Sequence, residues 1–147
     1  MLRGLDQELA VQDALAAAEY MRSIRGANGK VGAVGYCLGG KLAYLMAMHD
    51  AIDAAASYYG VAIQGSLDQA SKIQAPLLLH IAECDHLCPS EAQQAIADAM
   101  EGKAEVMVMS YPDVGHAFAR QGGENYNTPA AERADAATAR PFEKALR

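Results

Sequence analysis

The sequence has no tryptophan and only two phenylalanines among its 147 residues, so large core side chains are rationed. Alanine inflates the 52% apolar content, which leaves Leu, Ile, Val and Met to do most of the packing. No apolar run approaches the length of a membrane span. The opening residues Leu2 to Leu5 lead into a polar helix pattern, not a signal peptide. Three cysteines are an odd number at unhelpful spacings, which excludes a disulfide framework. Clustered Lys and Arg are also missing, and a net charge of −6 argues against non-specific nucleic-acid binding. These absences predict a soluble acidic protein of a reducing cytoplasm, with no membrane and no nucleic-acid partner. The length suits one domain over residues 1–147, able to bury roughly two-thirds of its unfolded surface.

What is present is an alternation of helical and extended patterns. Val11, Leu15, Ala18, Met21 and Ile24 recur at helical spacing, so about 6–25 reads as an amphipathic helix ended by Gly26 to Gly29. Val31 to Tyr36 is apolar and Gly-rich, which suits a buried parallel strand. Gly39 to about His49 turns helical, and Ala54 to Tyr59 is a second strand closed by Gly60. Pro76 to Ile81 is the best strand signal in the chain. Ser90, with Gln93 three residues on, predicts a helix opened by a capping box and closed by Gly102. Glu105 to Tyr111 alternates like a strand, and an irregular stretch follows from Pro112. Thr128 as N-cap and Pro129 as first helical residue should start a last helix, which Pro141 should kink or interrupt. No repeat, low-complexity tract or linker is evident. Strands alternating with helices mean a mostly parallel sheet of about four strands, an α/β fold.

The chemistry concentrates at three places. Gly35-Tyr36-Cys37-Leu38-Gly39-Gly40 joins a strand to a helix, where a nucleophile would sit on a tight strained turn. The helix N-terminus faces Cys37 and favours a thiolate, and the N–H of Leu38 can donate to a developing oxyanion. A small buried Cys in a Gly-rich turn would read the same way. Asp85 falls just past the third strand and His116 just past the fourth, both at the strand ends where open α/β sheets place their sites. Singly, Asp85 could start a turn and His116 could be polar surface. Nucleophile, acid and His in that chain order follow the α/β-hydrolase arrangement.

The elbow, the pair Asp85-His86 followed by Pro89, and Gly115-His116-Ala117-Phe118 together resemble the dienelactone hydrolases (carboxymethylenebutenolidases). The resemblance runs from about residue 6 to 146. It implies an α/β-hydrolase domain that opens an enol-lactone ring through an acyl-enzyme, without a metal or organic cofactor. It makes Cys37 the nucleophile, His116 the general base and Asp85 its orienter. Arg120 matches a position that pairs with the substrate carboxylate, and Tyr58 matches a pocket position, although a surface Arg and a core aromatic remain alternatives. Family members carry a further N-terminal portion with the first strands of the sheet, a Glu beside the Cys, a second substrate-binding Arg and the other oxyanion N–H. None of these can be named here.

The expected substrate is therefore a small ester or lactone, probed by an anion-binding Arg. The expected association is a homodimer, or pairing with an N-terminal half, because Val31 to Tyr36 would lack one neighbour and become an open edge. The alternative is an impaired remnant that serves assembly or binding. His80, Cys84, His86 and Cys88 lie close in sequence, but their spacing fits no common structural zinc pattern, and no metal is expected.

Overall fold

A computed structural model describes residues 6–147; the opening run Leu2 to Leu5 lies outside the described residues. Helix α1 (Gln7–Ser23) starts at Asp6, whose carboxylate accepts from the Leu9 N–H at 3.1 Å. Strand β1 (Gly32–Tyr36) runs into α2 (Leu38–Met48), then β2 (Ala54–Tyr58). Strand β3 (Leu77–Ala82), α3 (Ser90–Met100), β4 (Val106–Tyr111) and α4 (Thr128–Ala145) complete the order. The four strands are all parallel and lie in sequence order, β1-β2-β3-β4. This is the α/β class and strand number read from the sequence.

Alternation along β3 sorts the core. Leu77, Leu79 and Ile81 face one side with Ala55, against α1, α2 and α3. Leu78 and Ala82 face the other side with Ala56, Tyr58 and Tyr111, against Ala134 of α4. The first face is thus covered by three helices and the second by one. A helix about 10 Å wide cannot cover four strands set about 4.8 Å apart. Apolar side chains consequently remain outside on both flanks of α4: Val34 and Tyr36 on β1 are 46% and 50% exposed, and Met107 on β4 is 56% exposed.

Strand β1 therefore departs from the buried strand its composition suggested, because it is the sheet's edge and has only its neighbour β2. Its start is tied down by charge. Arg22 donates to Asp53 Oδ2 at 2.7 Å and to the carbonyls of Gly29 and Ala51, while the Val31 N–H donates to Asp53 at 2.8 Å. Burial would raise the Asp53 carboxyl, but the donors Val31, Arg22 and Lys30 outweigh it and hold its pKa below the ordinary value.

Several local expectations are corrected. The capping box at Ser90 does not form: Pro89 is the N-cap, and Gln93 instead donates its amide to the carbonyls of Ala82, Glu83 and Cys88. The N-cap of α4 is Asn127, one residue before Thr128, with its side chain accepting from the Ala130 N–H at 3.0 Å. Pro141 does not interrupt α4, which continues to Ala145. A proline removes one N–H from the ladder, and the last turn is held regardless by Phe142 against the sheet and by Asn28 donating to the Leu146 carbonyl at 2.7 Å. The sequence reading missed a 3₁₀ stretch, Ile63–Lys72, bent at Ser66, between β2 and β3. Among the described residues no helix is long and apolar enough to cross a membrane.

Candidate active site

The turn from β1 into α2 lifts Cys37 out of the sheet. Cys37 has φ +56° and ψ −117°, a backbone that side-chain-bearing residues rarely adopt. Neighbouring glycines make it feasible: a Cβ on Gly35 would run into the carbonyl of Gly39, and one on Gly40 would lie 2.8 Å from Ser57 Oγ. The Cys37 N–H donates to the Tyr58 carbonyl at 3.0 Å, and its own carbonyl accepts from Lys41 and Val61 at 3.3 Å each. Leu38 opens α2, so its N–H belongs to the first turn, where no intrahelical acceptor exists.

Asp85 follows β3 in a tight turn and is only 3% exposed. Its Oδ1 accepts from the Leu87 N–H at 2.8 Å, and its Oδ2 meets His116 Nδ1 at 2.7 Å. A carboxylate in that position accepts the Nδ1–H and leaves Nε2 as the free basic nitrogen. The loop 112–127 that carries His116 is pinned at several points. Cys84 N–H donates to the Val114 carbonyl, Asn125 to the His116 carbonyl at 2.8 Å, and Asn127 N–H to the Phe118 carbonyl at 2.9 Å. Phe118 is fully buried, with its ring 4.8 Å from Tyr111 and 5.5 Å from Tyr59.

Cys37 and His116 line one open cleft of about 420 Å³, together with Tyr36, Tyr59, Ala117, Ala119 and Arg120. Three sequence-derived site residues are thus brought into a single constellation with Asp85 behind His116, and Arg120 stands at its margin. Tyr58 is the exception. It is 1% exposed, its hydroxyl is taken by Asp135 and Thr138, and the cleft wall is formed by its neighbour Tyr59. The chain reverses at Tyr59, whose φ is +40°, which turns that ring edge-on to His116 at 5.1 Å between centroids. Sequence reasoning passed over Tyr59 and Tyr36; the signal was an aromatic pair at one strand end and an aromatic beside the nucleophile. His86, also unassigned, has its ring 6.4 Å from that of His116. Among the described residues no three His, Cys, Asp or Glu side chains gather as a metal-ligand set, and both ring nitrogens of His80 are engaged by Tyr111 and Thr138.

The profile of the dienelactone hydrolase family matches residues 1–146. The chain belongs to that family. It is 38% identical over 133 residues to a carboxymethylenebutenolidase of Pseudomonas putida, covering 90% of this chain and 56% of the relative. Carboxymethylenebutenolidase 1 of Cupriavidus pinatubonensis is 34% identical over 138 residues, covering 94% of this chain and 58% of the relative. The chain therefore spans little more than half the length of these relatives. Among solved structures, a dienelactone-hydrolase-like promiscuous phosphotriesterase from metagenomic libraries superposes with a TM-score of 0.82 at 22% identity, over 97% of this chain and 64% of the other. An esterase of Pyrococcus furiosus gives a TM-score of 0.74 at 13% identity, over 95% and 63%. These likenesses establish an α/β-hydrolase fold.

Proposed function

We propose that this chain carries the nucleophile, acid and base of a hydrolase that cleaves small esters or lactones through an acyl-enzyme. The observation that carries the reading is the 2.7 Å contact between His116 Nδ1 and a buried Asp85, in the cleft that Cys37 enters from a strained elbow. His116 Nε2 takes the proton of the Cys37 thiol, and the thiolate adds to the acyl carbonyl. The carbonyl oxygen becomes an oxyanion within reach of the Leu38 N–H. Collapse breaks the bond to the leaving oxygen, which receives the proton from His116. Water, deprotonated by the same nitrogen, then attacks the thioester and restores the thiol. Arg120 at the cleft margin favours an anionic substrate, and the aromatic walls favour an unsaturated one, as in the lactone opening for which the curated relatives are named.

The open edge of β1 supports a further part of this reading, that a second polypeptide strand adds beside Val34 and Tyr36, from another copy or from a complementary N-terminal portion. An impaired remnant acting through that edge is the competing reading, and acylation separates the two. With Cys84→Ser removing the exposed thiol, p-nitrophenyl acetate should transfer one acetyl group to the protein, read by intact mass, and Cys37→Ala should take none. Equal labelling with and without Cys37 would end the enzyme reading.

A further inference from the structure

On the α4 side of the sheet, below the cleft, five side chains form one hydrogen-bonded chain that the acyl-transfer reading leaves unused. Tyr58 OH lies 2.8 Å from Asp135 Oδ1 and 2.9 Å from Thr138 Oγ1. His80 Nε2 lies 2.8 Å from the same Thr138 oxygen, and His80 Nδ1 lies 2.9 Å from Tyr111 OH. Tyr58, His80 and Tyr111 are each 1% exposed and Thr138 is 8% exposed.

Counting protons orders the chain. A carboxylate only accepts, so Tyr58 donates to Asp135 and its oxygen is left to accept from Thr138. Thr138 has then spent its one proton, and His80 Nε2 must donate to it. His80 Nδ1 is therefore the bare nitrogen, and it accepts from Tyr111. The reverse order would leave the oxygens of Tyr58 and Thr138 facing each other at 2.9 Å with no proton between them. Burial lowers the His80 pKa to about 4, which suits a neutral ring with one donor and one acceptor.

This chain runs through Tyr58, the residue that holds the elbow. The Tyr58 carbonyl receives the Cys37 N–H at 3.0 Å, and the Tyr58 ring supports that of Tyr36 at 4.8 Å. Cys37 and the residue just past β2, Tyr59, both have positive φ, +56° and +40°. Such backbones cost on the order of 1–3 kcal/mol each and persist only where their surroundings over-determine them. The rest of β2 offers little grip, being Ala54, Ala55, Ala56 and Ser57.

We propose that Tyr58 is a positioning residue for the nucleophile, with Asp135, Thr138, His80 and Tyr111 locking it so that its carbonyl fixes Cys37. The inference rests on reading Cys37 as the nucleophile, but its structural half is measurable without that. In the parent protein, ¹⁵N NMR should find His80 protonated at Nε2; protonation at Nδ1 overturns the ordered chain. Amide exchange of Cys37 should accelerate roughly tenfold in Tyr58→Phe and in Thr138→Val, as for one hydrogen bond lost. Thr138→Ser, which keeps the hydroxyl, should behave as the parent. The amide of Ile96 in α3 serves as the reference: equal acceleration at Ile96 and Cys37 means general loosening and overturns the proposal. Acetylation of Cys37 should slow in step, by roughly three- to tenfold, and be restored in Thr138→Ser. If even the parent takes no acetyl group, the enzyme reading fails, while the exchange data still decide whether Tyr58 holds the elbow.

Discussion

The two faces of the sheet hold their helices by different means. On the face covered by α1, α2 and α3 the contacts are apolar, with Ala55, Leu77, Leu79 and Ile81 meeting Tyr44, Leu45 and Ile96. On the other face a single helix, α4, lies over a floor that includes the imidazole of His80 and the hydroxyls of Tyr58 and Tyr111, and it brings Thr138 to meet Tyr58 and His80. Apolar packing is non-directional and tolerates sliding. A polar chain specifies one seat for α4, at the risk that any broken link leaves a buried polar group unpaired. The difference makes sense by location: Cys37 and Tyr59 are both backed by Tyr58, on the face where position matters most.

The comparison breaks first on the apolar face. Leu79 is 1% exposed within the cluster facing α2 and α3. Leu79→Ala removes three heavy atoms and leaves a cavity, so it should cost about 2–5 kcal/mol in urea unfolding. His80, the next residue, should keep its Nε2 proton in that variant if the faces are independent. Loss of that ¹⁵N signature would show that the polar seat of α4 depends on the packing beneath it.

A titration addresses the polar face. The His80 pKa is lowered from 6.5 to about 4 by burial. Above about pH 6.5 neither the folded nor the unfolded state holds the extra proton, and the full stability is present. Between 6.5 and about 4 the unfolded chain binds that proton and the folded chain does not, so stability falls as pH falls. Below about 4 the loss from this residue levels off, at roughly 3 kcal/mol in all. Urea midpoints measured against pH for the parent and for His80→Gln should differ by a term that shrinks across that window. Parallel curves would mean that His80 is neutral for no energetic reason of its own.

The two faces were unequally legible in the sequence. Helix spacing in α1 and α2 and the apolar run of β3 reveal the first face, since periodicity records burial directly. The nucleophile, acid and His stand in short local motifs at strand ends, so their convergence could be anticipated. The polar chain could not: His80 and Thr138 lie 58 residues apart, and no local pattern pairs them. Tyr58 and Tyr59 were confused because strand alternation does not say which of two adjacent rings meets the cleft, and the reversal at Tyr59 needs the positive φ seen only in the folded chain. Asn127 and Thr128 are both good caps, and only the Ala130 contact distinguishes them.

The flanks of α4 lead to the smallest effect on stability. Val34 stands on β1 beside the uncovered part of the polar face, 46% exposed, at the open edge of a parallel sheet. Surface substitutions away from caps and buried contacts usually change stability by no more than about 0.5 kcal/mol. Val34→Lys should therefore leave the urea midpoint of the dilute protein almost unmoved. Its effect should instead fall on association. A charge beside an edge strand is desolvated when another strand or a covering helix arrives, which is how natural edges are kept from pairing. The parent at micromolar concentration should show a mass above that of one chain by light scattering, and Val34→Lys should return it to that of a monomer. Met107→Lys, on the opposite flank at β4, controls for added charge alone, and a mass that falls equally in both variants would move the contact off β1. A parent that is already monomeric would show that the edge of β1 needs no partner, and that one helix with a polar seat suffices to hold this face in water.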